Sequence, residues 1–427
     1  MSSFKSLESF DSLIQKYPRN IVIKADLGVQ GVRYTDAAKE IGKWAMPASM
    51  AIYDFSQEEI EGRTKDATEG WAVEPEVLKF EDGTHRIISY NTTSPYELRK
   101  EENEGYYLYR DGQQLEPVSF IQRPGWYSKR TSHGTLMANV GRMLGDLFEI
   151  AVSNFCEYWR TNEECGFCNM NATVNTRLDL GLKGTQIRKR LDDMGETFDA
   201  ALKERPDCDL NHYDLVGGAL FDLGNEADLY LKFIDVTQRV AVENGFDGAN
   251  RIISQAFPKS DGEKLYSAGC KEVEWNLEVW DEKLFPIVCP GKDKHIGRDK
   301  WIDYLYDAVD VFGKGNVICN FVLGTELVQP HGFKTLKEAE ESCLAGAEEL
   351  LQHGVFPRFI PLIPGRGSAY EGMKVAPIEY FLKVEYEAYK LKKKYNNYSC
   401  GTVCPKCDQA ALGADFASLM PQLPQVA

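Results

Sequence analysis

The sequence lacks a long apolar run. No stretch reaches the roughly 18 consecutive apolar residues from which a membrane-spanning helix is built. The first twenty residues also carry no apolar core of the kind that a secretory signal needs. We therefore expect a cytoplasmic protein without a membrane partner.

Positive charge is also scarce. Lysine and arginine number 49 against 65 aspartate and glutamate residues, which gives a formal net charge of -16. An acidic surface repels phosphate backbones, so we do not expect a nucleic-acid partner. The six histidines show no paired metal-binding spacing, and this argues against a zinc-dependent hydrolase.

What the chain does contain is an ordinary globular composition, 43% hydrophobic and 27% charged over 427 residues. From about residue 147 onward, strand-like and helical segments alternate, which is typical of a parallel sheet with crossover helices in an α/β fold. The preceding part reads as an α+β region of unknown role. The six strand-like segments are 147–155, 213–222, 250–257, 272–280, 316–324 and 355–364.

Several residues of chemical interest follow the ends of these strands. Crossover helices bring the carboxyl ends of parallel strands to one edge of the sheet, where ligands bind in barrels of this type. The sequence therefore predicts one active site at this edge. The residues at or just past a strand end are Cys156, Gly217, Gly218, Glu278, Glu326 and Pro364.

Three of the eleven cysteines lie in the loop after the first of these strands. Cys156, Cys165 and Cys168 have the spacing Cys-x8-Cys-x2-Cys. Thiolates from one loop are the ligands of iron–sulfur clusters, and three of them leave one iron open for a small molecule. Zinc sites usually close with four ligands, so zinc is the weaker alternative. Five scattered cysteines are interpreted as buried apolar residues, namely Cys208, Cys270, Cys289, Cys319 and Cys343.

This loop, which ends in 166-GFC-168, resembles the cluster loop of the radical S-adenosylmethionine (SAM) superfamily, whose usual spacing is Cys-x3-Cys-x2-Cys. Gly217 and Gly218 resemble the Gly-Gly-Glu motif that contacts the methionine amino group, with Ala219 in place of the glutamate. The resemblance covers about 147–375 and implies a partial (β/α)6 TIM-like barrel there.

Further matches follow in the same order and are closest to the biotin synthase and lipoyl synthase branch. Asn276 and Glu278 resemble that branch's ribose-binding Asn-Leu-Asp/Glu motif. The run 317-VICNFVLGTE-326 resembles the strand that packs on the adenine and ends in Glu326. Phe167 matches the position whose backbone meets the adenine edge.

A basic residue of that branch pairs with the cofactor carboxylate. Lys294 and Arg298 lie near the matching place beyond the fourth strand, so the resemblance implies that one of them contacts SAM. A solvated basic loop is the alternative.

The resemblance implies a shared first step. A [4Fe–4S] cluster binds SAM, and one electron cleaves it to methionine and a 5′-deoxyadenosyl radical that removes hydrogen from a small organic substrate. Sulfur insertion is the reaction favoured to follow, and carbon-skeleton rearrangement, cyclisation and methyl transfer are the alternatives. An electron donor such as flavodoxin or ferredoxin is the implied protein partner. The alternative function is an iron–sulfur or zinc-binding scaffold, or an electron carrier, without radical chemistry.

A second cysteine group lies in the C-terminal segment, 376–427. Cys400, Cys404 and Cys407 have the spacing Cys-x3-Cys-x2-Cys, but too little chain follows them to form a barrel. We predict metal binding here, either by an auxiliary iron–sulfur cluster or by zinc in a Cys-x2-Cys knuckle with a fourth ligand from elsewhere.

Overall fold

Short strands and two helices form the N-terminal part of the computed structural model, which describes residue 4 and residues 8–45, 77–101, 105–172, 189–365, 367–397 and 401–420. The strands are β1 (Arg33–Tyr34), β2 (Val77–Phe80), β3 (His85–Ile87), β4 (Tyr96–Glu101), β5 (Gly105–Arg110) and β6 (Gln113–Phe120). They form one sheet in the order β1-β4-β5-β6-β2-β3. Strands β4, β5 and β6 are antiparallel neighbours, so this part is an α+β unit.

The remaining strands form a second sheet with a different topology. They are β7 (Gly141–Leu144), β8 (Leu147–Ser153), β9 (His212–Gly217), β10 (Ala249–Ser254), β11 (Glu272–Trp275), β12 (Val317–Leu323) and β13 (Phe356–Pro361). Neighbours in the sheet are neighbours in sequence from β7 to β13. All pairs from β8 onward are parallel, while β7 adds an antiparallel edge strand to β8. The predicted α/β fold class with six parallel strands is confirmed.

Helices connect the parallel strands as the alternating pattern predicted. In chain order they are α1 (Phe10–Lys16), α2 (Arg19–Gln30), α3 (Leu191–Lys203), α4 (Arg205–Cys208), α5 (Leu223–Glu243), α6 (Lys259–Ser267), α7 (Phe285–Val288), α8 (Pro290–His295), α9 (Arg298–Phe312), α10 (Leu336–Gln352), α11 (Ile378–Lys394) and α12 (Gly413–Leu419). Each crossover helix buries one apolar face against the sheet, as Phe233 and Ile234 do in α5. Among the described helices, none has the length and apolar character needed to cross a bilayer.

Two hydrophobic clusters hold these layers together. The larger one lies between the seven-stranded sheet and its helices, and the smaller one lies under the N-terminal sheet. Helix α2 joins both, because Ile21 and Val22 belong to the larger cluster and Ile23 and Leu27 to the smaller. The N-terminal part therefore packs directly on the barrel.

One strand is shorter than its apolar pattern predicted. The prediction extended this strand to residue 280, but β11 ends at Trp275. The Asn276 side chain accepts a hydrogen bond from the backbone N–H of Asn320 at 3.0 Å and so takes a position that a backbone carbonyl would fill in a longer strand. The chain then leaves the sheet and returns to it only as an isolated bridge between Glu278 and Phe321.

Candidate functional site

The loop that carries the first cysteine trio follows the carboxyl end of β8. A short 3-10 helix, Glu157–Arg160, begins directly after Cys156. The backbone N–H of Glu157 donates to the carbonyl of Ala219 at 2.8 Å, and its carboxylate accepts from the N–H of Phe221 at 2.6 Å. These bonds fix the start of the loop to the loop after β9.

The long gap between Cys156 and Cys165 forms a docked turn. Tyr158 is 2% exposed, its hydroxyl hydrogen-bonds to the Gln255 side chain, and its ring stacks on His295 with ring centroids 5.4 Å apart. The far side of the turn is fixed by the N–H of Gly166, which donates to the carbonyl of Val288 at 2.8 Å. The residues added between the cysteines therefore have a packing role and do not displace the loop from the sheet edge.

The three cysteines of this loop are half-buried and lie near one another. Burial, together with the neighbouring thiols of Cys168 and Cys165, raises the pKa of Cys156 to about 12. Burial and the thiol of Cys165 raise the pKa of Cys168 to about 11. An interaction with Cys289, and then burial, raises the pKa of Cys165 well above its ordinary value. All three are thiols at neutral pH without a metal, so metal binding must release their protons.

These residues fit an iron–sulfur cluster, which Cys156, Cys165 and Cys168 would hold through sulfur. The hydroxyl of Tyr370 indicates that a further polar ligand binds beside this loop. It is buried without a hydrogen-bond partner among the described residues, and it lies beside Gly166 of the same loop. Orphaned buried hydroxyls are uncommon in folded proteins and suggest an unfilled polar contact.

The predicted Gly-Gly motif meets the cysteine loop directly. A Cβ atom on Gly218 would lie 2.3 Å from the carbonyl oxygen of Phe155 and 2.7 Å from the Cβ of Cys156. Gly217 is less restricted, because its nearest neighbour would be the hydroxyl of Tyr230 at 3.0 Å. Only glycine at position 218 permits this contact between the ends of β8 and β9.

The predicted ribose motif lies at the end of β11. Glu278 has a φ of 72°, which is an unfavourable backbone conformation for a residue with a side chain. Its carboxylate is 2.7 Å from the Nζ of Lys292, and the same Nζ donates to the carbonyl of Asn276 at 2.6 Å. Burial opposes the charged form of Lys292, but Glu278, Cys165 and Cys289 together outweigh burial and raise the Lys292 pKa above its ordinary value. Glu278 thus combines a strained backbone conformation with a buried ion pair to Lys292.

The two basic residues predicted from the resemblance have other contacts. Lys294 is paired with Glu163, with 63% of its side chain exposed. Arg298 donates to the carbonyl of Trp280 at 2.9 Å and lies over its ring. Phe167 is half-buried and packs against the main hydrophobic cluster.

Glu326 lies just past the end of β12 and is almost fully buried. Its carboxylate accepts from the N–H of Gly324 at 2.8 Å and from the hydroxyl of Tyr380. Burial raises the pKa of Glu326 to about 7. These contacts stabilise the loop after β12 and connect it to α11.

Buried charged side chains from the neighbouring strands β9, β10 and β11 form a layer below this edge of the sheet. Arg251 pairs with Asp214 at 2.8 Å and with Glu274 at 2.9 Å. Glu274 also accepts from the Asn276 side chain at 3.2 Å, so the layer connects to the predicted ribose motif. Burial, and next the charge of Glu149, raises the pKa of Asp214 to about 7.

Sequence reasoning missed three residues of this site. Lys292 lies in the same basic loop as Lys294, and the sequence assigns it no role; only its buried contact with Glu278 sets it apart from its neighbours. Cys289 was read as a buried apolar residue; it is buried and also lies next to Cys165. Glu226 of α5 accepts from the N–H of Leu220 at 2.7 Å and so supports the loop after the Gly-Gly pair. No sequence motif marks these residues, because their roles come from contacts that only the folded chain creates.

The second cysteine group lies elsewhere. Cys404 and Cys407 are close to His212, which begins β9 at its amino end, whereas the first trio lies at the carboxyl ends of the strands. Cys400 lies outside the described residues. The two cysteine groups therefore do not converge on one site.

Comparisons with known proteins give distant similarities, and no family model matches the chain. The bacteriochlorophyllide c C-7(1)-hydroxylase of Chlorobaculum limnaeum is 23% identical over 296 residues, which are 68% of this chain and 71% of that protein. The crystal structure of methylornithine synthase (PylB) aligns with 57% of this chain and 60% of its own length, less than two thirds, at 15% identity and a TM-score of 0.40. A radical SAM methyltransferase from Sphaerobacter thermophilus aligns with 70% of this chain and 75% of its own, at 14% identity and a TM-score of 0.38.

Proposed function

We propose that this chain is a radical SAM enzyme in which Cys156, Cys165 and Cys168 hold a [4Fe–4S] cluster. The observation that carries the proposal is the contact between the cysteine loop and Gly218, where a Cβ atom would lie 2.7 Å from the Cβ of Cys156. When bound, such a cluster supplies the electron that cleaves SAM and yields the 5′-deoxyadenosyl radical.

The residues around the trio have distinct roles in the proposal. Gly218 allows the end of β9 to pack directly against Phe155 and Cys156. In the proposal the backbone of Gly217 and Gly218 therefore lies beside the cluster and contacts the amino-acid part of SAM. Glu278 binds the ribose hydroxyls, and Lys292 orients the Glu278 carboxylate through their 2.7 Å contact. In this proposal Lys292 is a positioning residue.

The radical then removes hydrogen from a small organic substrate, with flavodoxin or ferredoxin as the electron donor. Sulfur insertion from an auxiliary cluster would need a donor near the carboxyl edge, but Cys404 and Cys407 lie at the amino ends of the strands. This position favours carbon-skeleton rearrangement over sulfur insertion. The relative at 23% identity is named a hydroxylase, so hydroxylation is a second candidate outcome. After hydrogen abstraction it would need water as the oxygen source and a one-electron acceptor, such as an oxidised iron–sulfur protein, to take the electron of the substrate radical.

The test is SAM cleavage by the full chain after anaerobic reconstitution with iron and sulfide. Dithionite and SAM are added, and 5′-deoxyadenosine and methionine are measured by liquid chromatography. We expect both products from the wild type and a loss of at least 100-fold in the variant with Cys156, Cys165 and Cys168 changed to Ala. The matched control is Cys208→Ala, another half-buried cysteine, which should retain the activity.

The same measurement separates the proposal from its alternative. A reducible cluster that depends on the trio but yields no 5′-deoxyadenosine would contradict radical chemistry and support an electron carrier. Equal product from the triple variant and the wild type would show that another site cleaves SAM. Lys292→Met should raise the KM for SAM more than it lowers kcat, because it acts through Glu278.

A further inference from the structure

A compact set of metal-binding side chains lies at the amino ends of β8 and β9. Asp146 precedes β8, His212 begins β9, and Cys404 and Cys407 come from the C-terminal segment. Their ligand atoms all lie within 4.8 Å of one another. The sequence predicted the two cysteines as ligands, but nothing in it indicated the histidine or the aspartate.

Four of the distances between these atoms are close to those expected around a single metal ion. The Sγ of Cys404 is 3.1 Å from the Sγ of Cys407, 3.3 Å from Oδ1 of Asp146 and 3.7 Å from Nε2 of His212. That Nε2 is 3.4 Å from Oδ2 of Asp146. A tetrahedron with Zn–S bonds of about 2.3 Å and Zn–N or Zn–O bonds of about 2.0–2.2 Å has edges of about 3.3–3.8 Å. The four distances given lie within about 0.7 Å of these edges. The distances from the Sγ of Cys407 to the His212 and Asp146 atoms are at most 4.8 Å, so shifts of about an ångström would bring all four ligands onto one ion.

The chemistry of the ligands selects the ion. Each ligand of a four-iron cluster binds a different iron, and thiolate is the usual ligand. Among the described residues this set has two thiols, with an imidazole and a carboxylate beside them, and all four lie close together. Two sulfur ligands with nitrogen and oxygen favour Zn²⁺ over Mg²⁺ or Ca²⁺. We propose that Asp146, His212, Cys404 and Cys407 bind one Zn²⁺ ion.

The backbone around the set is arranged to hold it. Gly145 has a φ of +63°, and a Cβ there would lie 2.0 Å from the carbonyl oxygen of Lys406, between the two cysteines. The N–H of Cys404 donates to the Sγ of Cys407 at 3.3 Å, and Asn211 donates to Oδ2 of Asp146 at 3.2 Å. Such contacts orient ligands around a metal and stabilise the thiolate.

The position of the site gives it a structural role. Strand β8 has seven residues, so at about 3.3 Å per residue the site is on the order of 20 Å from the cysteine loop at the other end of the strand. The ion would attach the C-terminal segment to the barrel. The segment that the ion would attach to the barrel also contacts the N-terminal part, through the buried pair Lys24 and Asp415.

The test is the metal content of the full chain produced with zinc in the medium, measured by plasma mass spectrometry. Changing Cys156, Cys165 and Cys168 to Ala removes the other metal site, and the remaining substitutions are made in that background. We expect one zinc per chain in the background and after Cys400→Ser. We expect less than a tenth of that after Cys404→Ser or His212→Ala.

Two results would overturn the proposal. One is a background protein without zinc. The other is iron and sulfide at this site, lost after Cys400→Ser as well as Cys404→Ser, which would identify an auxiliary cluster.

A second measurement applies if these variants do not fold. Co²⁺ added to the metal-free background protein should give the intense visible bands of a tetrahedral site and thiolate charge-transfer absorption, and Zn²⁺ should remove both. The weak spectrum of octahedral Co²⁺ would contradict the proposal. Neither measurement involves SAM, so failure here leaves the proposed function untouched.

Discussion

Replacing Gly145 by Ala should separate the C-terminal segment from the barrel. Two effects add in this variant. The φ of +63° disfavours any residue with a Cβ, by about 1–2 kcal/mol. In addition the new Cβ would lie 2.0 Å from the carbonyl oxygen of Lys406, although real Cβ contacts essentially never fall below 3.0 Å. The two backbones must therefore move apart, and overpacking of this kind costs about 1–3 kcal/mol.

The matched control is Gly245→Ala. Gly245 has a φ of +59°, close to that of Gly145, but a Cβ there would have no neighbour within 4 Å. The control therefore carries the backbone strain without the clash. We expect the free energy of unfolding to fall by about 2–5 kcal/mol in Gly145→Ala and by about 1–2 kcal/mol in Gly245→Ala.

Urea unfolding of both variants and the wild type measures this difference. In limited proteolysis, residues 401–420 should be cut earlier in Gly145→Ala than in the wild type. The reason is that this segment no longer packs against the turn before β8. The zinc content should fall in Gly145→Ala and not in Gly245→Ala. Equal stability of the two variants, with equal zinc and equal protease resistance, would refute the close approach of Gly145 and Lys406.

Two further predictions concern the carboxyl edge of the sheet. Gly218→Ala should lower 5′-deoxyadenosine formation at least tenfold, because its Cβ would lie 2.7 Å from that of Cys156. Gly217→Ala should lower it only a few-fold, because the nearest atom to its Cβ is a tyrosine hydroxyl at 3.0 Å. Equal losses in the two variants would contradict the special role of Gly218. Burial raises the pKa of Glu326 from 4.5 to about 7, so its stabilising contribution is complete below pH 4.5 and is lost as the pH rises through 7. Glu326→Gln should remove about 3 kcal/mol of this pH dependence in urea unfolding, and an unchanged profile would show that Glu326 is ionised in the fold.

The strands were predictable from the sequence because their signal is local. Apolar runs at 213–222 and 316–324 correspond to β9 and β12, and the end positions differ by a few residues. The order of cysteines, glycines and polar residues at strand ends also indicated one edge of the sheet, since parallel topology brings those ends together. The contact between Gly218 and Cys156 follows from that topology.

Other features depended on contacts between distant parts of the chain. The turn around Tyr158 is held by Gln255, and the charge of Glu278 is balanced by Lys292. Neither Gln255 nor Lys292 belongs to a sequence motif that would reveal its role. A basic loop residue looks the same in sequence whether it is solvated or buried, so Lys292 could not be separated from Lys294.

The sequence by itself determined the α/β class, the strand positions and the presence of two cysteine groups, because each arises from residue types at short spacing. Only the tertiary structure decided that the groups lie at opposite ends of the same strands. It also brought His212 and Asp146 to Cys404, across 192 and 258 residues of chain. A metal site of this kind is set by the distance between donor atoms in space, and spacing along the chain does not encode it.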